Sequence, residues 1–178
     1  MNTEIKKLIR PEILQLRPYQ AAQYLPEMVR MNANENPYPP YEDKGVPLLN
    51  LYPEAVPTKL RASIANYLDV KVDNCVVTRG STEAIDLLIR VFCRPQLDEI
   101  VIFPPTFEMY QVYAAVQGAK IKTIPLLLNQ KFALDLEAFK KKVSPVSKLT
   151  FLCSPSNPTG NTFDESTTFE ICKTLEGS

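Results

Sequence analysis

The stretch CVVTRGSTEAIDLLIRVF, residues 75–92, passes from a short apolar run through a tight turn into a longer apolar-rich segment. A second apolar run, EIVIFPP at residues 99–105, follows within a few residues. Cys75–Thr78 reads as a short buried strand. Ser81–Phe92 reads as a helix apolar on most faces, which implies deep burial. Glu99–Phe103 reads as a second strand, halted by Pro104 and Pro105. Working outward, Lys59–Leu68 carries Leu60, Ile64 and Leu68 at helical spacing. Phe107–Gln117 is expected to be helical, with Gly118 as its C-terminal stop. Lys120–Leu126 is expected as a strand nearer an edge. Leu136–Val143 is expected as a short helix behind Asp135 as N-cap. Leu149–Cys153 reads as a buried strand and Glu165–Leu175 as a last helix. Short strands alternating with helices define an α/β chain built on a parallel sheet.

The first 57 residues differ. They hold Pro11, Pro18, Pro26, Pro37, Pro39, Pro40, Pro47, Pro53 and Pro57, which disfavours long regular elements. Residues 1–57 are therefore expected to form an extended arm that packs on something else, and 58–178 the α/β part.

Composition narrows the chemistry. The 178 residues include 20 Lys and Arg against 20 Asp and Glu, so net charge gives no reason to expect nucleic acid or an acidic membrane as partner. The chain has no His, which excludes Ser-His-Asp and Cys-His catalysis and His-ligated metals from its own residues. Neither a P-loop string nor G-x-G-x-x-G is present. Cys75, Cys93, Cys153 and Cys172 form no C-x-x-C pair and read as reduced thiols. No signal-peptide pattern and no run long enough to span a bilayer occur. A cytoplasmic protein is the expectation, with no metal.

In parallel α/β sheets, ligands gather beyond the carboxyl ends of the strands. That rule singles out three loops. In Arg79-Gly80-Ser81-Thr82-Glu83, outward-pointing amides at a helix start favour a phosphate. The same residues also suit an ordinary N-terminus capped by Ser81 or Thr82. Phe107, after Pro104-Pro105-Thr106, offers either a face for a planar ring or a core side chain. In Ser154-Pro155-Ser156-Asn157-Pro158-Thr159-Gly160, two prolines and a glycine fix the direction of Asn157. This is either a hydrogen-bonding device for a ring oxygen or a turn that merely ends a strand.

These loops carry a resemblance. The run Ser154–Gly160 resembles the Asn-Pro-x-Gly loop of the class I/II aminotransferases, which use pyridoxal phosphate (PLP). Five further segments resemble the histidinol-phosphate aminotransferases: Arg17-Pro18-Tyr19, Asn32-Ala33-Asn34-Glu35-Asn36-Pro37-Tyr38, Leu51-Tyr52-Pro53-Glu54, Gly80–Asp86 and Pro105–Tyr110. The resemblance implies a PLP-dependent transferase of fold type I, here part of the large domain preceded by an N-terminal arm. It implies that Ser81 and Thr82 hold the cofactor phosphate, that Phe107 stacks on the pyridine ring and that Asn157 bonds the ring hydroxyl oxygen. Tyr52 would reach the phosphate of the neighbouring subunit of a homodimer, and Tyr19 and Asn34 would lie near substrate. Thr82 stands where the family usually has Asp, Pro40 where it often has Gly, and Ser156 replaces a frequent Asn.

The implied reaction moves an amino group between glutamate and imidazole-acetol phosphate, in histidine biosynthesis. It needs a Schiff-base lysine, and a carboxylate pairing the pyridine nitrogen. In the family both follow the Asn-Pro-Thr-Gly loop, as does the arginine that grips substrate, and here all three are expected beyond Ser178. No catalytic residue is therefore expected within the 178 residues, and the isolated chain is expected to be inactive. Lys148, in Ser144-Pro145-Val146-Ser147-Lys148, precedes the loop and reads as a solvated residue at a strand start. Threonine-phosphate decarboxylase and aromatic aminotransferases share much of this motif order. A non-catalytic module that binds a phosphate compound or pairs with another chain is the alternative of a different class.

Overall fold

The computed structural model describes residues 3–17, 19, 27–40 and 49–176, which separate into two compact units, residues 1–16 with 79–178 and residues 17–78. Pro18, Pro26 and Pro47 of the proline-rich region lie outside the described residues. So does Ser178, the last residue of the stretch 58–178 that is expected to be only the first part of the large domain.

The larger unit is built on three parallel strands, β1 (Glu99–Ile102), β2 (Lys120–Thr123) and β3 (Ser147–Phe151), in the order β2-β1-β3. Register pairs Glu99 with Lys120 on one side and with Ser147 on the other. All four residues of β1 are buried. Its side chains alternate between two cores, as the period of a strand requires. Ile100 and Ile102 join Ile85, Ile89, Tyr110 and Ala114 on one face. Val101, with the following Phe103, joins Ile124, Leu126, Phe139 and Ile171 on the other.

The helices divide accordingly. Helix α4 (Gly80–Phe92) and α5 (Met109–Gln117) supply the first core, and α6 (Leu136–Lys142) with α7 (Glu165–Glu176) the second. Gly118 ends α5 in the left-handed conformation at φ 74°, and its N–H returns to Ala115. Asp135 caps α6 by accepting the Ala138 N–H at 2.9 Å, and Asp164 caps α7 by accepting that of Thr167 at 2.7 Å. Two short helices, α1 (Thr3–Leu8) and α2 (Pro11–Leu14), lie within the region expected as an extended arm. Between them Arg10 covers the end of α4, its N–H donating to the Val91 carbonyl (3.0 Å) and its Nη1 to that of Arg90 (2.9 Å). A cation there complements the negative end of the helix dipole.

Three sequence expectations need correction. Cys75–Thr78 is not a strand. Cys75 is buried, but Val76 is 82% exposed, and the Cys75 carbonyl accepts from the Arg61 guanidinium (2.7 Å) of α3 (Thr58–Tyr67) rather than from a ladder partner. Helix α4 is amphipathic rather than buried all round, because only Ile85 and Ile89 reach the core while Leu87 and Leu88 face outward. The helix expected over Lys59–Leu68 is present as α3, with Leu60 and Leu68 exposed and Ala65 its buried position. β3 also starts two residues earlier than its apolar run, at Ser147.

Two carboxylates secure the start of β1. Glu99 accepts from the Ser147 hydroxyl of β3 (2.5 Å) and pairs with Lys122 of β2 (3.0 Å). Burial opposes its charge, but Ser147 and Lys122 outweigh that and hold its carboxyl below the usual carboxylate range. Asp98 is fully buried and accepts three bonds from Arg94, from its N–H (2.8 Å), Nε (2.7 Å) and Nη2 (2.8 Å). Those bonds hold the Asp98 carboxyl below its ordinary value. The Cys93 thiol is pushed up to about 12, first by burial and then by Asp98.

Arg94 is partly exposed, so water can solvate it once its partner is gone. Asp98→Ala is therefore expected to cost about 2 kcal/mol in urea denaturation, below the value for a fully buried pair. Because the folded Asp98 carboxyl is depressed, the unfolded chain takes up its proton first as pH falls. The contribution of Asp98 is present above pH ~4 and drains away below it, and Asp98→Asn should flatten that acid limb of the stability curve.

Candidate functional site

The strand order creates a crevice. Adjacent strands β1 and β3 are followed by helices on opposite faces, α5 and α7, so their exit loops diverge. This is a topological switch point, where open α/β sheets bind ligands. A cleft of about 520 Å³ opens there, lined by Pro104, Thr106, Phe107, Gln111, Asn157 and Pro158 among others. Phe107 and Asn157, fifty residues apart in sequence, thus share one cavity.

Each is held by its neighbours. The Phe107 ring meets Tyr110 edge-on (centroids 5.6 Å, 86°), and Tyr110 stacks on Phe151 of β3 (4.6 Å, 15°). Burial and a hydrogen bond with Cys153 push the Tyr110 phenol up to about 12. The Asn157 loop closes on itself. The Cys153 sulfur accepts the Asn157 N–H (3.4 Å), the Ser156 N–H donates to Asn161 (2.8 Å) and the Gly160 N–H returns to Ser156 (2.8 Å). Asn157 itself stays exposed at the cavity. Tyr110 and Cys153 are supporting residues that sequence reasoning missed. Their roles depend on a contact between α5 and the end of β3 that no local pattern announces.

Ser81 and Thr82 occupy the first turn of α4, which begins one residue earlier than expected, at Gly80. Neither caps the helix, since no side chain caps its start. Instead the Glu83 carboxylate reaches back to the Arg79 N–H (2.6 Å) and guanidinium (2.9 and 3.1 Å). These bonds hold Glu83 below the ordinary carboxylate range. Thr82 lines a second cleft of about 330 Å³ with Arg79, Glu83, Asp86, Leu87 and Tyr113, and Ser81 lines neither cleft. Gly80 sits at φ 77°, and a Cβ built on it would have no atom within 4 Å. The helix start is thus open to close approach by a ligand.

The remaining candidates belong to the other unit. Tyr19 is 86% and Tyr52 69% exposed, and Asn34 adopts a left-handed backbone at φ 51°. Pro18 of the Arg17-Pro18-Tyr19 motif lies outside the described residues.

The donor set fits pyridoxal phosphate: an approachable helix start for the phosphate, an aromatic face for the ring and an exposed carboxamide for its hydroxyl. Among the described residues that line the main cleft there is no lysine, and the one carboxylate is Glu108. Among the described residues no cluster of His, Cys, Asp and Glu could hold a metal ion.

Residues 19–177 match the family described as aminotransferase class I and II, and the chain belongs to that family. It is 42% identical over 160 residues to a histidinol-phosphate aminotransferase of Buchnera aphidicola subsp. Schlechtendalia chinensis, covering 88% of this chain and 44% of that protein. It is 40% identical over 176 residues to histidinol-phosphate aminotransferase 2 of Mannheimia succiniciproducens, covering 98% and 49%. The fold resembles that of N-succinyldiaminopimelate aminotransferase from Mycobacterium tuberculosis, with TM-score 0.65 and 28% identity over 71% of this chain and 35% of that one. The chain spans about half the length of the curated relatives it matches.

Gly80→Ala tests the helix start. With space available, its cost is the left-handed backbone alone, about 1 kcal/mol by urea denaturation. A much larger loss would mean that the side chain meets a neighbour.

Proposed function

We propose that this chain supplies the cofactor-cradling half of a pyridoxal-phosphate aminotransferase acting on histidinol phosphate and imidazole-acetol phosphate, with glutamate and 2-oxoglutarate as the other pair. The carrying observation is the switch-point cleft with Phe107 and Asn157 on its wall, in a chain about 40% identical to histidinol-phosphate aminotransferases. Pyridoxal phosphate, when bound, supplies an aldehyde and an electron-accepting ring. Amides at Ser81 and Thr82 take the phosphate, aided by the helix dipole. Phe107 stacks on the ring and fixes its plane, and the Asn157 carboxamide donates to the ring hydroxyl oxygen. Tyr52 reaches the phosphate in the neighbouring subunit of a homodimer, and Tyr19 with Asn34 borders the substrate. On this reading the covalent lysine, the carboxylate for the pyridine nitrogen and the substrate-gripping arginine belong to the half of the enzyme corresponding to the part of the curated relatives that this chain does not cover.

Its four cysteines are free thiols and, among the described residues, no helix is long and apolar enough to cross a membrane. Both support a cytoplasmic setting for the enzyme.

The test is glutamate formation from histidinol phosphate and 2-oxoglutarate by the complete enzyme. Carbon dioxide release from threonine phosphate without glutamate formation would overturn the reading in favour of the decarboxylase. Asn157→Ala should weaken pyridoxal phosphate by roughly 10- to 100-fold, the scale of a hydrogen bond to a charged group, as read by titration of the apoenzyme. The isolated chain mixed with pyridoxal phosphate should yield no borohydride-trapped lysine adduct at the cleft. A single modified lysine in a peptide digest would show that the chain carries its own nucleophile.

A further inference from the structure

The unit formed by residues 17–78 contains an ion pair that the cofactor cradle does not use. Arg30 and Glu35 side chains are only 10% and 5% exposed, in a region where Met28, Val29, Met31 and Tyr38 all face outward. The Arg30 guanidinium grips the Glu35 carboxylate bidentately, Nε donating to Oε2 at 2.7 Å and Nη2 to Oε1. Arg30 holds the Glu35 carboxyl below the usual carboxylate range, so it is charged at neutral pH.

The pair does more than neutralise itself. Glu35 Oε1 accepts the Tyr52 N–H at 2.6 Å, and Arg30 Nη2 donates to the Tyr52 carbonyl at 3.4 Å. Both backbone polar groups of one residue are thus held by the two partners of one ion pair. A second link ties the same segments, the Asn50 side-chain amide donating to the Asn36 carbonyl at 2.8 Å. Tyr52 lies outside any helix or strand, its side chain is largely exposed, and neither a helical nor a strand ladder fixes its backbone.

We propose that Arg30 and Glu35 are positioning residues for Tyr52: their ion pair clamps the Tyr52 backbone and so sets where its phenol projects. The inference rests on the reading above in which Tyr52 contacts the cofactor phosphate. A hydrophobic pair could fill the same space, but it could not hold an N–H and a C=O at once. The clamp explains why charge is buried where little apolar surface is. Deletion of one partner leaves the other buried and unpaired as well as freeing Tyr52.

Two measurements separate the clamp from the phosphate contact. Hydrogen exchange of the Tyr52 amide should accelerate at least about tenfold in Glu35→Ala, with less effect in Glu35→Gln, which keeps one carbonyl acceptor. The amides of α4 and β1 should be unchanged, which a general loss of stability would not leave so. In the complete enzyme, Glu35→Ala and Tyr52→Phe should each weaken pyridoxal phosphate by about tenfold, and the double variant by no more than the larger single effect. Unchanged Tyr52 exchange in Glu35→Ala, or additive losses in the double variant, would overturn the clamp. Full cofactor affinity in Tyr52→Phe would overturn the phosphate contact and with it this use of the clamp, while the exchange arm still reads the clamp itself.

Discussion

Shielding β1 from water on both faces is the constraint from which the rest of the larger unit follows. A strand with parallel neighbours on each side cannot be joined to them by hairpins, so each connection must cross over the sheet. The crossings are made by α5 and α6, and with α4 and α7 they seal the two faces. The alternation of Ile100 and Ile102 against Val101 and Phe103 then has a core to fill on either side.

The same constraint makes the binding site. With helices committed to the faces, the loops that leave the strands have only the carboxyl edge of the sheet to occupy. The exit loops of the parallel neighbours β1 and β3 lead to helices on opposite faces, so these two loops part, and the gap is the cleft. Phe107 and Asn157 meet there because of topology, not because of any affinity between their segments. Their orientations are fixed by linked braces, one through Tyr110 and Phe151, the other through the closed turn around Cys153 and Ser156, with the Tyr110–Cys153 hydrogen bond joining the two. The wall of the cleft is therefore assembled from two parts that brace each other.

Much of this was legible in the residues. Glu99–Ile102 is a near-continuous apolar strand, Gly118 a helix stop and Asp135 a cap, and each feature carries its own local physics. Motif order alone puts Phe107 and Asn157 on exit loops. What escaped was decided by partners distant in sequence. Cys75–Thr78 has the residues of a strand, but a strand exists only where another backbone answers it, and Arg61 takes the Cys75 carbonyl instead. The apolar outer face of α4 gave the same signal as its inner face, since hydropathy does not record which side is covered. The Arg30–Glu35 pair was equally silent, because its meaning lies in the backbone of Tyr52.

Glu99 has one more consequence. A strand buried on both faces gains little from hydrophobic alternation when its pairing slips by one residue, since apolar side chains meet a core either way. Ile100, Val101 and Ile102 alone would leave the alignment of three strands weakly specified. Glu99 restricts that freedom at the start of β1. Its carboxylate meets the Ser147 hydroxyl on one neighbour and the Lys122 ammonium on the other, and the β1–β3 register then steps by one residue, so that Ile100 faces Leu149. An alignment that parted Glu99 from both partners would leave a buried carboxylate unpaired, a far heavier penalty than a mismatched methyl group. One acidic residue at the strand's first position therefore acts as a vernier mark for where β1 begins, and the step just after it sets the offset along β3.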